Sequence, residues 1–423
     1  MTEPVNTQQP VETLESQRLS GKNSTFSAMR HRNFQLFFGG QLISNIGTWM
    51  QIIAQSWVVY QLGHSEVTLG WVAFAPALPV LVISPWAGVI VDRVSRRGLL
   101  YMTQICSMLL AFALAALTFT GKTQEWHVIV LAALLGVVNA FDAPARQAFI
   151  PEMVGKQDMP NAIALTSIMF NSARVLGPAF AGILLALIGA AWCFTINGIS
   201  YLAVIIGLWL MRLPAHAPVR NSSSPWRQLV DGVKYTAQHA EISALILLAL
   251  VFSVFGITYV TLLPAFVEKV LHQGAAAYGW INSASGVGAV TGAFFVAHRN
   301  IRGKRGRLLV WVNVAFPLIL AVFAFTSNYP ASLLLAYGLG LGFMLQFTTL
   351  NTLLQTRVED KFRGRVMALY SLTFFGFAPL GNLLLGYLGE KLNLGIAMLI
   401  FATCSLVFSR LVLVKTPQIQ TLP

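Results

Sequence analysis

The sequence predicts an all-α membrane protein: twelve transmembrane helices in two six-helix bundles. Three observations predict it. Of 423 residues, 56% are hydrophobic and only 10% are charged, where a soluble domain carries about 25% charged residues. Charge-free stretches recur along the whole chain, each able to supply the ~20 apolar residues of a spanning helix. The two halves also share residues at fixed offsets. In water so apolar a chain would expose very large adhesive patches. That excludes a disordered protein, a disulfide scaffold and an ordinary soluble enzyme.

Each span follows from its own stretch. Asn33–Ser65 carries no Asp, Glu, Lys or Arg and gives a first span at 34–62. Val67–Val91 gives 67–91, and Gly98–Gly121 gives 98–120. Trp126–Phe141, extended by Asp142-Ala-Pro-Ala, gives 126–146. Met159–Met211 holds one charge, Arg174. It is long enough for two helices broken near Gly189, at 161–188 and 190–212. Ile242–Val267 and Val270–His298 give 242–268 and 275–298. Leu308–Thr356 breaks at Ser327-Asn-Tyr-Pro330 into 307–326 and 329–355. Val366–Gly389 and Leu392–Ser409 give 364–389 and 392–413.

Residues 1–33 form a polar N-terminal tail without the apolar core of a signal peptide. Residues 34–212 form the first bundle, 213–241 a polar connection, 242–413 the second bundle and 414–423 a C-terminal tail. The connection holds Pro214, Pro218 and an Asn-Ser-Ser-Ser run, then Trp226–Tyr235, which can lie as a surface helix on a membrane leaflet.

Orientation follows from the positive-inside rule. With the N-terminus inside, 24 of the 28 Lys and Arg fall on the inner side. The outer loops keep only Lys122, Lys269 and Lys391. Both termini are therefore expected in the cytoplasm. The net charge of +13 is spread over loops facing anionic lipid, so it does not indicate nucleic acid.

The halves look related. At an offset of 209, Ser44, Gly47, Leu62, Gly70 and Trp71 match Ser253, Gly256, Leu271, Gly279 and Trp280. At an offset of 204, Ala164, Leu165, Ser167, Phe170, Gly177, Gly182 and Leu184 match Ala368, Leu369, Ser371, Phe374, Gly381, Gly386 and Leu388. Parallel repeats of six helices imply a transporter with its site between the halves near the midplane.

The loop after the second span reads Gly88-Val-Ile-Val-Asp92-Arg93-Val-Ser-Arg96-Arg97. Gly88 would allow close helix packing. Asp92 can face a helix N-terminus, and the arginines can reach carboxylates across the inner face. This loop resembles the signature loop of the major facilitator superfamily, G-x-x-x-D-R-x-G-R followed by a base; only the second glycine departs, replaced by Ser95. The expected second copy, from Gly292 to Arg299 and on through Arg302, Lys304, Arg305 and Arg307, keeps the basic charge but lacks the acid. The fifth span carries Arg174-Val-Leu-Gly177-Pro178-Ala-Phe-Ala-Gly182. Its proline removes a backbone hydrogen bond, and its glycines let a neighbour close against the bend. It resembles in part the helix-5 motif of exporters in this superfamily. Phe141 to Pro151, with Asn161-Ala, and Phe362-Arg363-Gly364-Arg365 resemble a bacterial branch of drug exporters and enterobactin-type siderophore exporters. The resemblance covers nearly all of 28–413. It implies efflux of small molecules driven by a proton gradient, and an inner-face gate at Gly88, Asp92, Arg93, Arg96, Arg97 and Asp142, with Asp142 paired to Arg93 or Arg96.

Arg174 falls about thirteen residues into its span, ~20 Å deep at the usual rise. A charge there is costly and should face a cavity or a partner. It is expected either to pair structurally or to anchor a negative group on the cargo. In the first span Gln41, Asn45, Thr48, Gln51 and Gln55 share one face. Such a face turns away from lipid, to line a path or to bond a neighbouring helix. Asn171, Asn282 and Gln346 are candidate companions, and Trp49, Tyr259, Phe343 and Phe374 candidate apolar contacts.

No Gly-Lys-Ser or Gly-Lys-Thr phosphate loop and no His-Glu-x-x-His set occurs in the sequence. No metal, cofactor or enzymatic activity is expected. Cys106, Cys193 and Cys404 lie singly in apolar runs and read as small buried thiols. The expected protein is a monomeric exporter in a bacterial inner membrane, with small-molecule cargo, lipid and protons as partners. Uptake of a nutrient by the same fold, a lipid flippase and a non-transporting sensor remain alternatives. No Asp or Glu lies in the middle of a span, so the sequence leaves the proton-coupling group unassigned.

Overall fold

In a computed structural model the chain is described over residues 26–91, 93–212, 225–298 and 305–422. Asp92 and the basic residues Arg299, Arg302 and Lys304 lie outside the described residues, as do most of the N-terminal tail and residues 213–224 of the connection.

The described residues are helical and form two bundles. The first contains α1 (Arg32–Gly63), α2 (Glu66–Phe74 continued by Ala77–Val91), α3 (Arg96–Phe119), α4 (Glu125–Gly155), α5 (Gln157–Leu187) and α6 (Ala190–Leu210). The second contains α7 (Ala240–Lys269), α8 (Ala275–His298), α9 (Arg305–Ala324), α10 (Tyr329–Arg357), α11 (Asp360–Lys391) and α12 (Leu394–Lys415). Ten of these are long and apolar enough by composition to cross a membrane. With α1 and α8 the set is consistent with twelve spans. The amides of α1 dilute its apolar character. Large apolar side chains cover the outward faces, among them Leu187, Trp209, Trp311 and Leu334. That surface is stable only with lipid as its solvent.

Local chemistry sets the breaks. Ser65, Ser95, Asn328 and Asn393 cap helices by accepting from a backbone N–H in the first turn. The α4–α5 junction differs from expectation. Instead of ending near 146 and resuming at 161, the helix runs through Pro151 and Pro160 and turns only at Gly155, whose φ of 71° favours glycine. Helix α4 therefore runs on to Gly155 and α5 begins at Gln157, two helices joined at a sharp kink. Helix α7 departs from regular α geometry between Phe252 and Leu262, passing through a π turn and a 3-10 turn.

The repeat is visible in the backbone. Among the described residues, His64 and His272 are the only non-glycines with positive φ, at 48° and 52°. Each closes the first helix of its half, 208 positions apart. His31 and His239, at the same offset, hold the extended N-cap positions of α1 and α7. Gly70 and Gly279 each lie against the opposite bundle, while the following Trp71 and Trp280 point outward.

Three segments clip onto the ends of the bundles. Ser27–Arg30 docks at the start of α5, where the Ala28 N–H donates to Asn161 Oδ1 at 2.9 Å and His31 meets Asp158 at 2.7 Å. The connecting helix Pro225–Gln238 docks at the start of α11. There Tyr235 stacks on Phe362 at 4.3 Å and Asp231 pairs with Arg365 at 3.0 Å. The C-terminal turn Pro417–Thr421 folds back, and the Gly306 N–H donates to Leu422 O.

Candidate transport cavity

The bundles meet along two helix pairs, α5 with α8 and α2 with α11. Small residues make the approach possible. A side chain at Gly279 would collide with the backbone of Gly182, and one at Gly286 would press on Val175. Gly177, one residue before Pro178, lies against Trp49 and Ile46 of α1. The glycines around Pro178 thus serve two contacts, one within the first bundle and one across the seam.

A cavity of about 420 Å³ lies between the bundles. From the first bundle its wall takes Thr48, Trp49, Gln51, Gln55 and Ser56 on α1, Asn139 on α4, Arg174 and Pro178 on α5 and Asn197 on α6; from the second, Thr261 on α7 and Tyr278, Asn282 and Ser285 on α8. Among these described residues Arg174 is the one permanent charge, and no carboxylate shares the wall. The Arg174 guanidinium lies over the ring of Phe343 at 4.4 Å and near that of Trp49 at 5.9 Å. Among the described residues it has no acidic partner. A cation on aromatic faces is stabilised by the ring quadrupoles while its N–H groups stay available to an anion.

The structure separates the expected site residues. Thr48, Gln51, Gln55, Arg174 and Asn282 line the cavity. Gln41 and Asn45 do not: Arg146 donates to Gln41 Oε1 at 3.0 Å, and Asn45 donates to Gln41 O at 2.7 Å. Asn171 donates to Ser167 O on its own helix. Gln346 is 0% exposed and exchanges hydrogen bonds with Asn313 across α9 and α10; it ties two helices together, as a buried amide must. Sequence reasoning did not single out Asn139, Asn197, Tyr278 or Ser285. Asn197 donates to Gln51 Oε1 at 2.7 Å, and Tyr278 stacks on Trp57 at 5.8 Å.

The basic loop after α2 also departs from expectation. Asp142 pairs with neither Arg93 nor Arg96 but with Arg146, one turn along α4, at 2.7 Å. Arg96 instead bonds Glu152 at 2.6 Å and Ala148 O at 3.0 Å. Arg97 donates to Trp209 O. Gly88 has open space around it, so no close helix approach depends on it. The described arginines of the loop that have partners are thus engaged within the first bundle.

Two related bundles enclosing a cavity between them define a multi-pass membrane transporter of the major facilitator fold. The chain belongs to the transmembrane secretion effector family of that superfamily, whose model matches residues 23–421. It is 27% identical over 355 residues to a staphyloferrin A transporter of Staphylococcus aureus, covering 82% of this chain and 87% of that one. To the multidrug efflux pump Tap of Mycolicibacterium fortuitum it is 25% identical over 362 residues, covering 84% and 88%. Among solved structures, the nucleoside transporter NupG superposes with a TM-score of 0.72 at 14% identity, over 90% of this chain and 98% of that one. A bacterial homologue of Spinster superposes at 0.66 with 14% identity, over 93% and 97%. These two show the shared fold.

Proposed function

We propose that the chain exports small, negatively charged, siderophore-like or drug-like molecules by alternating access, in antiport with protons. The carrying observation is Arg174, a cation without an acidic partner among the described residues, on the wall of a cavity built by both bundles. Burying a charge is costly unless it is paired, and an anionic cargo supplies the pair. The amides and hydroxyls around it fix orientation, as a few placed polar groups do in an otherwise apolar pocket. The names of the relatives, a siderophore transporter and an efflux pump, fit such cargo.

In this reading the basic face, with the N-terminus and the connection, is cytoplasmic, and the Lys269–Glu66 pair fastens the opposite face. That pair joins the bundles, whereas the pairs at the basic end among the described residues lie within a bundle or tie the connecting helix to α11. Closing the basic face would bring Gly88–Arg97 against the second bundle and free the far face to open. The test is flux in everted membrane vesicles bearing the full chain, with and without a proton gradient. A catecholate chelator and a carboxylate chelator serve as probes. Proton-driven accumulation above that of vesicles lacking the protein supports export; accumulation only with an inverted gradient would mean uptake.

A further inference from the structure

Asp142 is a carboxylate in the membrane-spanning part of α4, 3% exposed, and lies outside the cavity wall. Its Oδ1 accepts from Thr103 Oγ1 at 2.7 Å and from Gln104 Nε2 at 2.9 Å, both on α3. Its Oδ2 pairs with Arg146 at 2.7 Å. Arg146 reaches on to Gln41 of α1 and is partly open to solvent. Two atoms of this nest, Gln104 Oε1 and Gln41 Nε2, are fully buried and have no hydrogen-bond partner among the described residues. Buried polar atoms are seldom left so without a reason.

We infer that Asp142 is the proton-binding group of the transport cycle, and that Arg146 holds it deprotonated while the cavity faces the basic side. The inference rests on the antiport reading above and supplies the coupling group that reading lacks. The nest suits both protonation states. When Asp142 is charged, the Gln104 amide donates to it. When Asp142 is neutral, half a turn of that amide presents the idle Gln104 Oε1 to the acid O–H. The charged state needs Arg146, because a lone buried carboxylate is strongly disfavoured. If Arg146 swings away as the basic face closes, uptake of a proton removes the penalty.

The nest is also connected to the cavity. Tyr201 on α6 stands in the field of Asp142 and Arg146. Its hydroxyl lies 3.4 Å from Thr48 Oγ1 and 3.5 Å from Asn197 Nδ2, and both residues line the cavity. Among the described residues, Arg146 pairs with Asp142 and Tyr201 stands near both; Gln41, Thr103 and Gln104 complete the surround from α1 and α3. A proton carried by water enters the outward-facing cavity and converts the carboxylate to the acid, leaving water behind. Once the cavity faces inward, the acid returns that proton to water and Arg146 re-forms the pair.

The test needs no cargo. Infrared difference spectra of the purified full chain in lipid are recorded between about pH 8 and about pH 5, a range lying above ordinary carboxyl titration, so that exposed Asp and Glu stay largely charged. A band from a buried protonated carboxylic acid is expected to grow on acidification. It should fall to background in Asp142→Asn and persist in Glu152→Gln. Because Asp142→Asn leaves Arg146 unpaired, Asp142→Asn/Arg146→Gln removes both charges together and should lose the band equally. A band that survives in both variants, or no such band in the wild type, overturns the inference. Failure of the antiport reading would show differently, as absent proton-driven flux in wild-type vesicles.

Discussion

Lys269 Nζ on α7 lies 2.7 Å from Glu66 Oε1 on α2, and this ion pair joins one bundle to the other. Glu66 is 3% exposed, with Gly386 and Gly389 of α11 closing over it. Around it Ser65 donates to Glu390 at 2.6 Å, the Val67 N–H donates to the same carboxylate at 3.2 Å, and Gln61 donates to Glu268. The face opposite the basic loops is therefore fastened by polar contacts, which the proposed alternating access would have to break in every cycle.

Glu66→Gln or Lys269→Met should loosen this latch. Removing one partner of a fully buried pair costs ~3–5 kcal/mol. Lys269 is 48% exposed, so screening lowers the effect to about 1–2 kcal/mol. The population open at the far face should rise roughly 5- to 30-fold. Spin labels at Lys122 and Lys391, read by pulsed dipolar spectroscopy, would show a longer distance component. The exchange Glu66→Lys/Lys269→Glu should restore the short one.

Gly279→Ala should act in the opposite structural sense, by wedging α8 away from α5. The added methyl would meet Gly182 backbone with no flexible side chain to yield. Overpacking of this kind costs ~1–3 kcal/mol. A lower midpoint in thermal unfolding of the detergent-solubilised protein, with reduced flux, is expected. Gly364→Ala, where nothing lies within 4 Å, should leave both unchanged.

Tyr235→Ala should release the connecting helix from α11. The lost ring stack is worth ~0.5–1.5 kcal/mol beyond its buried area. Hydrogen exchange should accelerate across 230–238 and at the start of α11, while α4 keeps its protection. Equal protection in the variant would mean that Asp231–Arg365 alone holds the helix.

Much of the architecture was legible because lipid imposes it. Span limits, the break near Gly189 and the repeat of Gly70-Trp71 in Gly279-Trp280 follow from hydropathy and spacing. The run-on of α4 past residue 146 did not, since Pro151 and Pro160 ordinarily signal helix ends. Arg174 stood out as a lone charge in an apolar run. The polar stripe of α1 was legible as a stripe. Which of its members face the cavity and which face Arg146 depends on helix rotation, which spacing alone does not give. Gln346 looked like Gln51 in sequence, yet Asn313 satisfies it. Glu66 and Lys269 sit 203 positions apart, and only the fold shows that they meet.

The central claim is that Arg174 anchors the negative charge of the cargo. The measurement is proton-driven export of an anionic chelator and of a cationic dye in everted vesicles, comparing wild type with Arg174→Ala and Arg174→Lys. Loss of a charge-assisted bond of ~1.5–3 kcal/mol predicts a drop of about ten- to a hundredfold for the chelator in Arg174→Ala. Arg174→Lys should lie between, because it keeps the charge but not the planar seat on Phe343. Dye export should be little changed. An equal loss for both compounds, or none for the chelator, would contradict the account.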